Sequence, residues 1–269
     1  MLTDVANQER GALSSSSQLL FGMLLLTLFL APWPVGSNRD WAWPILTLLL
    51  VFIAVALLVG RCRLEDGSVK WVMLSFAGLT AWISFQLWGV PGVVSPVTLD
   101  AFSTRMDLIK TITYGCFFLA VIQLVDSRQR VESVIFLVVI VGVLQAMLGG
   151  VQQLLFDLGR ARGSFPNANH FAGHLIVATS LAIGIMISWQ KSSEKTTQSA
   201  FPILGLLTGP LARMRLMIVI MIIGLVMSRS RMGNTAFLIA LLSSGVILFY
   251  VARGLNRNVL IFLLMFIVL

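Results

Sequence analysis

Four arginines in two short polar segments are the residues of this chain whose type and spacing could do chemistry. Arg160 and Arg162 open the stretch Arg160-Ala161-Arg162-Gly163-Ser164-Phe165-Pro166-Asn167-Ala168-Asn169-His170-Phe171-Ala172-Gly173-His174, which is rich in turn formers and runs straight into an apolar block. Arg229 and Arg231 stand in Met227-Ser228-Arg229-Ser230-Arg231-Met232-Gly233-Asn234, where a handful of residues parts two apolar blocks. Guanidinium groups stay charged at any working pH and pair with phosphate oxygens through planar, two-pronged hydrogen bonds. Asn167 or Asn169 is placed to cap the helix that follows, and a helix amino terminus beside two guanidiniums is a ready anion site. The plainer reading of the first segment is a capped loop whose arginines meet lipid phosphates. That of the second is a tight interhelical turn with snorkelling side chains.

Other chemistries find less support. His170 and His174 are four apart and would share a helical face, but no Glu stands between them and no third ligand is evident, so no metal is expected. They read as hydrogen-bonding residues, His170 within the loop and His174 within the bundle. The sequence has no nucleotide-binding glycine loop, nucleophile elbow or cysteine cluster, which argues against an ATP-driven pump. Cys62 and Cys116 read as small packing residues rather than a disulfide.

The elements that must position the arginines are apolar helices. Hydrophobic residues make up 58% of the chain and charged ones 11%, too little polar surface to coat a water-soluble particle. Apolar blocks run roughly over 19–36, 44–60, 69–90, 108–125, 133–156, 171–189, 214–228 and 235–252. Most approach the length of about 20 residues that a helix needs to cross a bilayer, and none shows the short alternation of a porin strand. The expected fold is all-α: a polytopic membrane helix bundle of about eight transmembrane helices plus a truncated ninth. It forms one membrane domain over 1–269, with 1–18 as a cytoplasmic tail, 19–156 as amino-terminal helices and 157–269 as the start of a core. The stretch from Val259 to Leu269 is too short to cross, so the expectation is the front part of a longer protein. The first block reads as a retained span, since Pro32 follows Ala31 where a signal peptide would be cut.

Basic residues orient the bundle. With the amino terminus cytoplasmic, Arg10, Arg61, Arg63, Lys70, Arg128, Arg130, Lys191, Lys195, Arg213, Arg215, Arg253 and Arg257 lie inside, twelve against seven outside. Trp33, Trp41, Trp43 and Trp88 gather near the proposed outer ends, as an interfacial belt should. The net charge of +8 therefore speaks for membrane lipid and not for nucleic acid. Of the outer seven, Arg39 and Arg105 have an aspartate close by and Lys110 is placed to snorkel. The two arginine pairs have no such excuse. Charged residues set between spans usually face protein or a water-filled cavity and mark a substrate path.

Together the two segments resemble the O-antigen ligase and O-antigen polymerase superfamily of bacterial envelope glycan transferases. The matching pieces are Arg162-Gly163-Ser164-Phe165, Asn167-Ala168-Asn169-His170-Phe171-Ala172-Gly173 and Ser230-Arg231-Met232-Gly233-Asn234, in that order and parted by one linker and one span. The resemblance covers roughly residues 70 to 252. It implies a membrane glycosyltransferase that moves a glycan from undecaprenyl pyrophosphate to an acceptor hydroxyl, commonly on lipid A–core, at the periplasmic face of the inner membrane. It implies no cofactor. Arg162 and Arg231 would contact the pyrophosphate, with Arg160 and Arg229 as weaker candidates, while Asn167, Asn169 and His170 would shape the loop.

The same resemblance places a histidine that helps activate the acceptor on a large later loop, and neither His170 nor His174 matches that place. No catalytic residue is therefore assigned, and residues 1–269 alone are expected to bind part of the donor at best, without transferring glycan. Ligase-type transfer is preferred over chain polymerisation and protein O-glycosylation. An anion or solute transporter and a fragment without function of its own are the readings from other classes.

Overall fold

The computed structural model describes residues 2–60, 67–89, 95–157, 159–193 and 209–251. Among these it contains eight helices: α1 (Leu2–Leu30), α2 (Ala42–Val59), α3 (Gly67–Trp88), α4 (Ala101–Leu124), α5 (Arg128–Phe156), α6 (Ala168–Ser193), α7 (Pro210–Met227) and α8 (Arg231–Val251). No strand occurs among the described residues. Six helices are long and apolar enough to cross a membrane, from Ala42–Val59 through Pro210–Met227, and the apolar part of α1, Ser16–Leu30, is shorter. A helical membrane bundle is the result, with six long candidate spans where about eight crossings were expected. Of the linker expected over 190–213, residues 190–193 belong to α6 and 210–213 to α7, while 194–208 lie outside the described residues, as does the block from Val259.

Where boundaries differ from the sequence reading, a polar residue is the reason. α4 begins at Ala101, not near 108, because Asp100 caps it, its carboxylate accepting hydrogen bonds from the Phe102 and Ser103 amides. Arg105, Asp107 and Lys110 ride on those first turns, so the apolar pattern starts later than the helix does. α5 likewise begins at Arg128, whose guanidinium pairs with Glu132 one turn on at 2.8 Å. At the other end of the chain, α1 takes in most of the stretch read as a tail.

The chain gathers into two compact units, Met1–Val134 and Ile135–Leu269, the boundary falling inside α5. In the first unit α2 and α4 run parallel. Trp43 meets Tyr114 edge to face at one end, Thr47 and Thr113 share a hydrogen bond further along, and Leu50 and Ile53 join Leu24, Ala120 and Leu124 in a buried cluster. The remaining faces of α2 expose Leu48, Phe52 and Val55, as a lipid-facing helix should. Arg130 closes this unit. One prong donates to the Leu124 carbonyl at 2.8 Å, another to Ser17 at 2.9 Å, and the group lies over the Phe21 ring.

In the second unit α5, α6 and α7 meet at small residues, because close backbone approach is what holds helices together in lipid. A Cβ added at Gly142 would stand 2.7 Å from Ala178 Cβ and 2.8 Å from Met221 Sδ. One added at Gly224 would stand 2.8 Å from Ala146 Cβ. Phe171, Leu175, Met221 and Leu225 fill the core between these contacts. Since Gly142 meets Ala178 and Gly149 meets Phe171, α5 and α6 are antiparallel. α7 has 18 residues, about 27 Å of helix, close to the thickness of a hydrocarbon core. Its two ends are marked by Arg213 and Arg215 on one side and Arg229 and Arg231 just past the other.

Candidate functional site

Both arginine segments come together in the second unit, at the amino termini of α6 and α8. Asn167 caps α6: its Oδ1 accepts from the Asn169 amide at 2.9 Å and the His170 amide at 3.0 Å. Ser230 caps α8 in the same way, its Oγ accepting from the Gly233 amide at 3.1 Å. The cap of α8 is joined to the first turn of α6, for Ser230 Oγ donates to Asn169 Oδ1 at 3.0 Å. Gly233 permits the approach, since a Cβ there would come within 2.6 Å of Ala172 Cβ. Two helix ends carrying partial positive charge are thus tied side by side.

The backbone between α7 and α8 turns sharply. Arg229 takes a left-handed conformation, φ 50°, just after the last turn of α7, and its amide donates back to the Val226 carbonyl at 3.0 Å. Glycine is the usual occupant of such a place. Its main chain is held by Arg160, whose Nε donates to the Ser228 carbonyl at 2.8 Å and whose Nη2 reaches the Arg229 carbonyl and Asn169 Oδ1, each at 3.3 Å. The Ala161 amide adds a bond to the Met227 carbonyl at 3.1 Å.

The loop carrying Arg162 does not stand out from the helix ends; it folds back along α5. Gln145 Oε1 accepts from the Ser164 amide at 2.9 Å and from its hydroxyl at 3.0 Å, and Gln152 Nε2 donates to the Gly163 carbonyl at 2.7 Å. Gln145 lies eleven positions before Phe156, the last residue of α5, so the loop descends about 17 Å along the helix. Irregular backbone packed against a helix must find partners inside the protein. The two glutamines are those partners. Gly163 fits only as glycine: its φ is 55°, and a Cβ would stand 2.5 Å from Gln145 Oε1.

The four arginines therefore divide. Arg160 is a brace, with three hydrogen bonds to the turn and to Asn169 in the first turn of α6. Arg162, Arg229 and Arg231 are exposed, and no hydrogen bond or ion pair engages their side chains among the described residues. The nearest acid in the sequence is the exposed Asp157, and no ion pair joins it to these arginines among the described residues. The loop-shaping residues also separate. Asn167 caps, Asn169 cross-links, and His170 contributes its amide while its ring is exposed. His174 packs against Phe165 with ring centroids 5.2 Å apart, and its Nε2 has no partner, so the expected hydrogen bond within the bundle is not made. Gln145 and Gln152 were missed by the sequence reading. Their signal was available as polar residues inside an apolar block.

Fold and site define a helical bundle of the membrane type in which two helix amino termini are joined by a hydrogen bond and the segments leading into them carry three exposed arginines. Comparison with protein-family models, curated proteins and solved structures finds no match.

Proposed function

We propose that this chain holds the diphosphate of a lipid-linked glycan, as the donor side of a glycosyl transfer to a hydroxyl acceptor. The carrier expected from the O-antigen ligase resemblance is undecaprenyl pyrophosphate, the acceptor lipid A–core, and the place the periplasmic face of a bacterial inner membrane. One observation supports the reading: Arg162, Arg229 and Arg231, in the two segments that lead into the capped helices, are exposed, and no hydrogen bond or ion pair engages their side chains among the described residues. Uncompensated like charges repel one another, and an anion with several oxygens is what such a cluster would gather. In glycosyl transfer the diphosphate leaves, and its growing charge is what preorganised donors stabilise most. The role of this chain in that scheme is to bind and orient the donor and to draw charge toward the leaving group.

The test is a titration of undecaprenyl pyrophosphate into the chain held in lipid nanodiscs. Arg231→Glu removes one charged contact worth about 1.5–3 kcal/mol and adds repulsion, so affinity should fall more than about a hundredfold. Equal affinity of Arg231→Glu and the parent would end the proposal. Loss of soluble anion flux in vesicles, with lipid binding intact, would favour a transporter instead.

A further inference from the structure

Arg162 is fixed from both sides by its neighbours. Before it, the Ala161 amide is bonded to the Met227 carbonyl at the end of α7. After it, the Gly163 carbonyl and the Ser164 amide are bonded to Gln152 and Gln145 of α5. Its own carbonyl accepts from the Phe165 amide at 2.9 Å, closing the turn. Gln145 is fully buried, and a buried carboxamide inside an apolar helix is costly unless it does something for the fold or the site. Its oxygen is spent on Ser164, and it is Gly163 that makes room for it. Removing it would take away the acceptor of two hydrogen bonds from Ser164, and the segment bearing Arg162 would lose one of its three anchors.

We infer that Gln145, seconded by Gln152, is a positioning residue for anion binding: it touches no ligand and acts by setting where Arg162 stands relative to Arg229 and Arg231. This rests on the diphosphate reading above for its ligand, but the bracket itself can be read without one.

A double-mutant cycle tests the claim. The chain of residues 1–269 in nanodiscs is titrated with undecaprenyl pyrophosphate as parent, Arg162→Ala, Gln145→Leu and the double variant. Arg162→Ala should weaken binding about tenfold or more, the loss of a charged hydrogen bond. Gln145→Leu should weaken it by several fold, and adding it to Arg162→Ala should cost nothing further. A factor for Gln145→Leu that persists in the Arg162→Ala background would mean independent action and would overturn the inference. So would parental affinity in Gln145→Leu. Gln152→Met, at a half-exposed position, goes through the same cycle with the same criteria in case the buried change does not fold. Amide hydrogen exchange over residues 161–165 supplies the reading without ligand. Faster exchange in the glutamine variants, confined to that stretch, is expected, and unchanged exchange counts against the bracket. If the parent binds no diphosphate lipid while exchange rises, the proposed function falls and the positioning of Arg162 stands.

Discussion

Arg229→Gly should make the protein more stable and worse at binding, and the two effects can be sized separately. Arg229 occupies a left-handed backbone position after α7, φ 50°. A side chain there costs about 1 kcal/mol or somewhat more, which glycine does not pay. Glycine also gains freedom in the unfolded chain, so the net stabilisation is about 0.5–1 kcal/mol. No tertiary bond is lost in exchange, because Arg160 and Val226 engage the carbonyl and amide of residue 229 and not its guanidinium. Binding should move the other way. One charged hydrogen bond to phosphate is worth about 1.5–3 kcal/mol, a fall in affinity of about tenfold or more. Thermal unfolding of the purified chain and titration with diphosphate lipid measure the two quantities on the same sample. A variant that melts lower than the parent would refute the strain argument. One that melts higher and binds equally well would show that the strained arginine is not a ligand. Strain retained at a site is meaningful only if relieving it costs function.

Three further outcomes follow from the same contacts. Arg160→Ala should lower stability by about 1–2 kcal/mol, since it frees the carbonyls of residues 228 and 229 and one partner of Asn169, and Arg160→Lys should not restore it because an ammonium cannot span those acceptors; unfolding curves decide both. Gly142→Ala should destabilise the second unit by about 1–3 kcal/mol, because its Cβ would stand 2.7 Å from Ala178 Cβ and 2.8 Å from Met221 Sδ, and a parental melting temperature would show that α5 and α6 can part cheaply. The carboxyl of Asp100 is held below its ordinary range by hydrogen bonds, first from the Ser103 hydroxyl and then from the Ser103 amide. Its folded value is the lower one, so the cap is at full strength above the ordinary carboxylate range and is lost as pH falls through the depressed value; helicity followed down to acid pH should drop more steeply in the parent than in Asp100→Asn.

What the sequence disclosed and what it withheld can be traced to range. Apolar block length depends on neighbours in the chain, and it located the helices, α2 over Ala42–Val59 against an expected 44–60 being typical. The Asn167 cap is equally local, since an Asx side chain bonds amides two and three residues on. Helix starts failed where charged residues ride on helical turns, as Arg105, Asp107 and Lys110 do on α4. The descent of the Arg162 loop was hidden for a different reason. It depends on Gln145 and Gln152, which lie inside a block read only for its hydropathy, although polar side chains within a span are themselves a signal.

Least legible was the division among the arginines. Arg160 and Arg162 share a segment, and Arg229 and Arg231 share another, so spacing could not separate them and only the resemblance ranked one of each pair above its neighbour. What separates them is which carbonyls a fold brings within reach. Arg160 meets those of Ser228 and Arg229, nearly seventy residues away, and is used up in holding them. Arg229 loses its backbone to that grip but keeps its guanidinium free. A chain that builds a site for an anion needs both kinds, because like charges do not stay together unless something ties their backbones. An arginine can tie or bind, and only the long-range contacts reveal which.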